Sequence, residues 1–293
     1  MSFHLASYEK HGKHYDAAAK NSSPDAHSRT WLQEDTANAW RHRRSYELFE
    51  CLFEDPRDSW VTVGDGRYGC EAMALKRCGF ENILATDICG ALLEIGKEEG
   101  LIDAFAVENA ENLSFPDDHF AYSFCKESYH HFPRPMLALY EMLRVSRKAV
   151  VLVEPEDKHN CWETRLRNLR ARLRGEIKYK DTVYEGSGNY VYSISRRELE
   201  KVALGINLPT IAFQGYNDYY VPNAEYVPAS IRQKEYRAIR LGCLKKDLLT
   251  WLGFRPHGML RAILFKEEPS EGVRNRLRRQ KWDIIDLPRN PHV

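Results

Sequence analysis

"WVTVGDGRYGCEAMALKRCG", residues 60–79, decides the fold. WVTV (60–63) is a β-rich apolar run, and Glu71 to Cys78 reads as a helix stopped by Gly79. Between them Gly64, Gly66 and Gly69 fall on the G-x-G-x-x-G spacing. A glycine-rich turn between strand and helix exposes backbone N–H groups and lets a ligand approach the chain closely. Asp87 follows a second strand, NILAT (82–86), at the place where a carboxylate suits a ribose diol.

Working outward, the same alternation continues. A helix through ALLEIGKEEG leads to AFAVE (104–108), and FAYSFC (120–125) and KAVVLVE (148–154) follow as strands, with the helical pattern MLALYEMLRV between them. Strands alternating with helices imply βαβ units, hence a parallel sheet with helices on both faces. Trp31 to Phe53 reads as helix. Further on, Ser195 reads as the N-cap of SISRRELEKVALG, TIAFQGY and MLRAILFKE read as two more strands, and a long helix spans about 230–251. The expected layout is a helical cap or lid over 1–55, one α/β domain over 56–268 with an insertion at about 156–194, and a polar, basic, proline-marked tail over 269–293 that wraps the surface or moves.

Composition sets the outer limits. The 293 residues can bury a large core, and 43% hydrophobic with 29% charged residues fits a folded, soluble chain. A net charge of +1 leaves no global field for nucleic acid or membrane, so any anionic partner needs a local patch. Seven cysteines form no C-x-x-C pair, which predicts a reducing, cytoplasmic setting with neither structural zinc nor a disulfide framework. The amino terminus has no apolar h-region, and the longest aliphatic run, Ala149 to Val153, is too short to span a bilayer.

The glycine loop and Asp87 serve NAD and S-adenosylmethionine alike. Two carboxylates separate them. Asp65 inside the loop and Glu71 early in the helix would oppose a pyrophosphate, whereas Asp65 could attract a cationic amine or sulfonium. The stretch after the third strand, ENAENLSFPDDHFAYSFCKESYHHFPRP (108–135), then carries a resemblance. With TVGDGRYG and ATDI it resembles the class I S-adenosylmethionine-dependent methyltransferases, of the type 11 kind, over about residues 59–155. VGDGRYG, CKESYHHFPRP and LYEMLRV further resemble a bacterial subgroup found with polysaccharide-modifying enzymes.

The resemblance implies a Rossmann-like class I fold with a mostly parallel seven-stranded sheet, S-adenosylmethionine as cofactor and S-adenosylhomocysteine as product. It implies that Gly64, Gly66 and Gly69 form the turn under the methionine part, with Asp65 taking the charge that relatives carry in the first strand, where this chain has Thr62. Asp87 would accept from the ribose hydroxyls, Ile88 would pack on adenine, and Asn109 with Ala110 would read the adenine edge. Cys125 and Lys126 would lie near the methionine moiety.

The acceptor side is less defined. His130, His131 and Glu127 follow the fourth strand, at the sheet edge where ligands bind in open α/β folds. A neutral imidazole there can take a hydroxyl proton during methyl transfer, and His131 can equally pack the loop. Adjacent histidines point in different directions on most backbones, so no metal is expected. Arg167, Arg170 and Arg174 share a helix face, within a cluster that also holds Arg165 and Arg172; it either grips an anionic acceptor or is a solvated face. Tyrosines such as Tyr184, Tyr190 and Tyr192 suit an acceptor-side lid. The expected reaction is O-methylation of a sugar, glycan or other small-molecule hydroxyl. The alternatives are N- or C-methylation of a small metabolite, or cofactor binding without turnover; no nucleic-acid partner is expected.

Overall fold

In the computed structural model, which describes residues 2–21, 23, 26–158, 162–175, 184 and 189–292, Trp60 stacks on Tyr122 at the centre of the sheet, ring centroids 4.4 Å apart. These residues belong to strands β1 (Ser59–Val63) and β4 (Phe120–Lys126), which pair in parallel. Both are buried over nearly their whole length, and so read as continuous rather than alternating apolar runs. β2 (Asn82–Asp87), β3 (Phe105–Val107) and β5 (Ser146–Pro155) extend the parallel part. β7 (Met259–Phe265) then runs antiparallel to β5, β6 (Thr210–Tyr216) antiparallel to β7, and β8 (Asp283–Asp286) antiparallel to β6.

The sheet order is β3-β2-β1-β4-β5-β7-β6-β8. This corrects the expectation of a mostly parallel seven-stranded sheet: eight strands form a mixed one. The added strand comes from the presumed tail. There α10 (Glu271–Arg279) buries Val273 and Leu277, and Arg274 ties Glu268 and Asp286 so that β8 can lie beside β6.

Helices α4 (Cys70–Arg77), α5 (Ala91–Glu98) and α6 (Pro135–Val145) cross between the parallel strands. α6 starts with Pro at its first position, where the missing N–H costs nothing. α8 (Arg196–Gly205) has Ser195 as N-cap, its hydroxyl accepting from the Glu198 N–H at 3.2 Å. β5 shows why two cores exist. Val150 and Leu152 join α6 and α8 on one face, while Ala149, Val151 and Val153 join Trp60 and Leu277 on the other.

The amino-terminal third departs from expectation. Residues 3–20 form one helix, α1 (Phe3–Lys20). The helix expected over 31–53 is broken into short 3-10 turns, α2 (Ala37–Arg43) and α3 (Phe49–Leu52). The cause is tertiary: Asp35 O accepts from Ala229 N and Ala37 N donates to Val227 O, so the loop near 228 claims backbone groups a helix would need. Thr36 then restarts the helix, its hydroxyl accepting from Ala39 N. Two more helices, α7 (Trp162–Leu173) and α9 (Lys234–Trp251), emerge from the same edge of the sheet. The rest of the insertion expected over 156–194 lies largely outside the described residues, as does Cys161; the six other cysteines are free thiols.

Candidate functional site

Strand order reverses between β1 and β4, and a crevice opens at their carboxyl ends, where open α/β sheets bind ligands. Two loops face each other across it. After β1, Gly64 takes φ +77°, and Gly64 N and Asp65 N both donate to Thr86 O at 3.0 Å. After β4, Ser128 Oγ donates to Gly64 O at 2.6 Å. A Cβ on Gly64 would lie 2.6 Å from the Ser128 Cβ, so the closeness of the loops requires glycine.

Gly66 is fixed by a different neighbour. A Cβ there would sit 2.8 Å from the Asp87 carboxylate. Asp87 ends β2, buried, accepting from the N–H groups of Cys89, Gly66 and Ile88; burial pushes its pKa up to about 6. Asp65 points the other way. Its carboxylate accepts from Glu71 N at 3.0 Å, Ala72 N at 2.9 Å and the Thr62 hydroxyl at 2.8 Å, capping α4. Burial and the Glu71 carboxylate push its pKa up.

One cavity of about 60 Å³ gathers six of the ten residues expected to bind the cofactor, Gly64, Asp87, Ile88, Asn109, Ala110 and Lys126, together with Glu127 and His131 from the expected acceptor side. Asp65, Gly66, Gly69, Cys125 and His130 are not among its lining. Gly69 packs on Ile102. Cys125 is buried with its thiol 3.9 Å from Glu154 Oε1. His130 is buried with Nδ1 2.6 Å from Glu154 Oε2. Glu154 is fully buried and also accepts from Ser128 N and Tyr129 N, so it staples the loop after β4 to β5. Asn109 Oδ1 accepts from Glu111 N at 2.9 Å.

The helical cap expected over 1–55 named none of the residues that α1 brings to the site. Tyr8, His11 and Tyr15, at i, i+3 and i+7, line the cavity from one helix face. Tyr8 Oη donates to Glu111 Oε2 at 2.5 Å, and Arg134 donates to both oxygens of the same carboxylate. Burial, with His131, His14 and Arg67 nearby, lowers the His11 pKa to about 4. That i, i+3, i+7 spacing was the available signal.

A second cavity, of about 400 Å³, lies beyond Arg67, Glu71 and Lys126, which line both. Its walls come from α2, α4 and the turns around them, and include Trp31, Asn38, His42 and Tyr46. Arg67 lies 4.6 Å from the Trp31 ring centroid. Lys126 is buried at the junction, with Nζ 2.8 Å from Glu127 Oε2, 3.4 Å from Glu71 Oε1 and 3.4 Å from His42 Nδ1. Burial alone would lower the lysine's pKa, but Glu127, Tyr46 and Glu71 hold it well above the usual range. Burial alone would raise the Glu127 pKa, but Lys126 and His42 hold it well below. Glu127 has φ +49°, a costly conformation for a residue with a side chain, which fits a position held for function. His42 Nδ1 is 3.5 Å from Glu127 Oε2, and burial together with Lys126 lowers the imidazole's pKa. Among the described residues no group of three or more His, Cys, Asp or Glu could hold a metal ion.

Residues 61–153 match the family described as Methyltransferase domain. No protein among the curated sequences matches the chain. Among solved structures, the partner of the Trm112 methyltransferase activator of Haloferax volcanii is similar in fold, with a TM-score of 0.51 and 14% identity over 89% of this chain and 99% of that one. The YcgJ protein of Bacillus subtilis has a TM-score of 0.48 and 21% identity over 78% and 100%. A SAM-dependent methyltransferase of Methanosarcina mazei has 0.46 and 16% over 74% and 96%. Residues 61–153 are a methyltransferase domain of the Rossmann-like class I kind, and S-adenosylmethionine is its cofactor. The donor set suits that molecule: a buried carboxylate, Asp87, for a diol, and glycines where any Cβ would collide; Arg67 inside the turn and Lys126 beside it also line the cavity, so carboxylates do not flank the turn alone.

Proposed function

We propose that this methyltransferase transfers the methyl group to a hydroxyl of a small molecule, a sugar or glycan unit being the first choice, held in the cavity between α2 and α4. The observation that carries the reading is the junction of the two cavities at Arg67, Glu71 and Lys126, with a neutral imidazole, His42, on the acceptor wall. In this reading Asp87 holds the ribose hydroxyls, Gly64 and Gly66 let the chain pass under the methionine part, and Ile88 and Ala110 flank adenine. When bound, the cofactor supplies an electrophilic methyl group on sulfur. Alignment then contributes most of the rate, and the protein's remaining task is the acceptor proton.

His42 is placed for it. Its Nδ1 lies 3.4 Å from Lys126 Nζ and 3.5 Å from Glu127 Oε2; in this reading the Nδ1 proton points toward the carboxylate, which leaves Nε2 as the basic nitrogen. Nε2 would take the proton that the acceptor hydroxyl gives up in exchange for the methyl group. Trp31, Tyr46 and Asn38 would line the acceptor's place, with Arg67 over one Trp31 face and Tyr46 set between Phe49 and Lys126. The test is incubation with methyl-labelled cofactor and a panel of sugar nucleotides, glycans, phenols and amines, read by mass. Label on oxygen supports the reading; label only on amine nitrogen or carbon overturns it.

A further inference from the structure

α7 is turned inside out. Trp162, Leu166, Leu169 and Leu173 stand at i, i+4, i+7 and i+11, and all are exposed, Trp162 by 62% and Leu173 by 79%. At 3.6 residues per turn they share about 60° of arc. The opposite face holds Thr164, which is buried, and Asn168 and Ala171, which are half-buried. A helix on a soluble domain ordinarily directs its apolar stripe inward. Arginines border the stripe on both sides, Arg165 and Arg172 on one flank and Arg167, Arg170 and Arg174 on the other. Glu163 is the one acidic residue from 162 to 174.

α9 repeats the pattern. Tyr236, Ile239 and Cys243 bury its inner face, while Leu241, Leu244, Leu248 and Trp251 line the outer one, Leu241 exposed by 65% and Trp251 by 81%. Residues 234–255 carry Lys234, Arg237, Arg240, Lys245, Lys246 and Arg255 against Glu235 and Asp247. The two helices share an origin. α7 follows the carboxyl end of β5, and α9 precedes β7, whose first residue, Met259, pairs with both Pro155 and Tyr216. Both therefore leave the sheet at the edge where the cofactor loop lies.

We propose that the protein docks on an anionic lipid surface through the outer faces of α7 and α9, bringing the cofactor edge of the sheet to the bilayer. Apolar stripes with tryptophan, flanked by arginine and lysine, suit helices that lie in the headgroup layer with their aliphatic side chains at the acyl boundary. No described helix is long and apolar enough to cross the membrane. With a net charge of +1 over the whole chain, these cations are a local concentration and not a reflection of overall charge. A second copy is the poorer occupant, because an isologous contact would set the α7 arginines against themselves.

The test is co-sedimentation of the full chain with phosphatidylcholine vesicles, with and without phosphatidylglycerol. Binding is expected only to the anionic vesicles, weakened by salt. Arg165→Gln and Arg172→Gln should each lower the partition coefficient about fivefold, and Leu169→Asp or Leu248→Asp by about tenfold. Each variant should keep the wild-type melting temperature and cofactor affinity, which separates loss of docking from loss of fold. No sedimentation with anionic vesicles would overturn the proposal. So would a concentration-dependent dimer in ultracentrifugation that Leu169→Asp dissolves, since that would make the stripe an interface between copies.

Discussion

Gly66 and Asp87 approach so closely that a Cβ on the glycine would lie 2.8 Å from the carboxylate. The contact joins the turn after β1 to the end of β2, and it leaves no give, because Asp87 is already fixed by three backbone N–H groups. Gly66→Ala should weaken S-adenosylmethionine binding at least about tenfold by displacing Asp87. The melting temperature should fall as well, because moving the buried Asp87 carboxylate breaks the hydrogen bonds that hold it. Calorimetry on the purified variant checks it; unchanged affinity would mean that Asp87 does not bind the ribose.

Asp87 also sets a pH dependence. Its folded pKa of about 6 lies above the ordinary carboxylate value, so the ligand-free fold takes up a proton and gains stability as pH falls through 6. Cofactor binding wants the carboxylate ionised. Affinity should therefore hold above pH 6 and fall by about tenfold per unit below it. Titrations from pH 8 to 5 give the midpoint, and Asp87→Asn should flatten the curve at low affinity.

The sign is opposite at His11. Its folded pKa of about 4 lies below the ordinary imidazole value, so the docked state of α1 loses stability as pH falls from about 6.5 towards 4. Protonation would place a cation beside Arg67 and His131. Limited proteolysis should cut within residues 3–20 faster at pH 5 than at pH 7.5, and His11→Phe should remove most of the difference.

Glu154 predicts a stability effect. Replacing it by Gln removes a charge that three N–H groups in the loop after β4 converge on. Urea unfolding should show a loss of about 2–4 kcal/mol. His130→Ala should fall in the same class, losing stability ahead of chemistry.

The imidazoles can be told apart by turnover. His42→Ala should lower kcat by about 10²–10⁴-fold at nearly unchanged cofactor affinity. In the wild type the rate should fall on acidification only below the ordinary imidazole range, because burial and Lys126 lower the His42 pKa. Single-turnover kinetics on His42→Ala, His130→Ala and His131→Ala decide it. A collapse confined to His131→Ala would put the base in the loop after β4.

Much of the sheet was legible because interior strands, parallel or antiparallel, are apolar runs bounded by turn residues. TIAFQGY is β6 residue for residue, and Ser195 is the cap its S-x-x-E pattern announced. Gly64, Asp87 and Ala110 reach the first cavity through local strand-turn-helix geometry, which a sequence displays. The acceptor side was not legible in this way. His42 reaches Lys126 only because the loop near 228 breaks the helix expected over 31–53, a pairing between segments far apart in sequence. β8 was hidden by its charge, since an edge strand that begins and ends in Asp reads as tail until Arg274 and β6 are seen beside it.

The place of β5 has a consequence for synthesis. One neighbour, β4, leaves the ribosome just ahead of it; the other, β7, follows only after α7, α8, β6 and α9. At about 5–20 residues per second the wait is several seconds, during which the AVVLV run of β5 has an open edge. Chains stalled or cut before residue 259 would carry the whole of the matched segment, 61–153, and still present Val150, Val151 and Leu152 as a template for pairing with other chains. That fragment should aggregate rather than work as a smaller enzyme, and the intact protein should depend on chaperones most strongly in this interval.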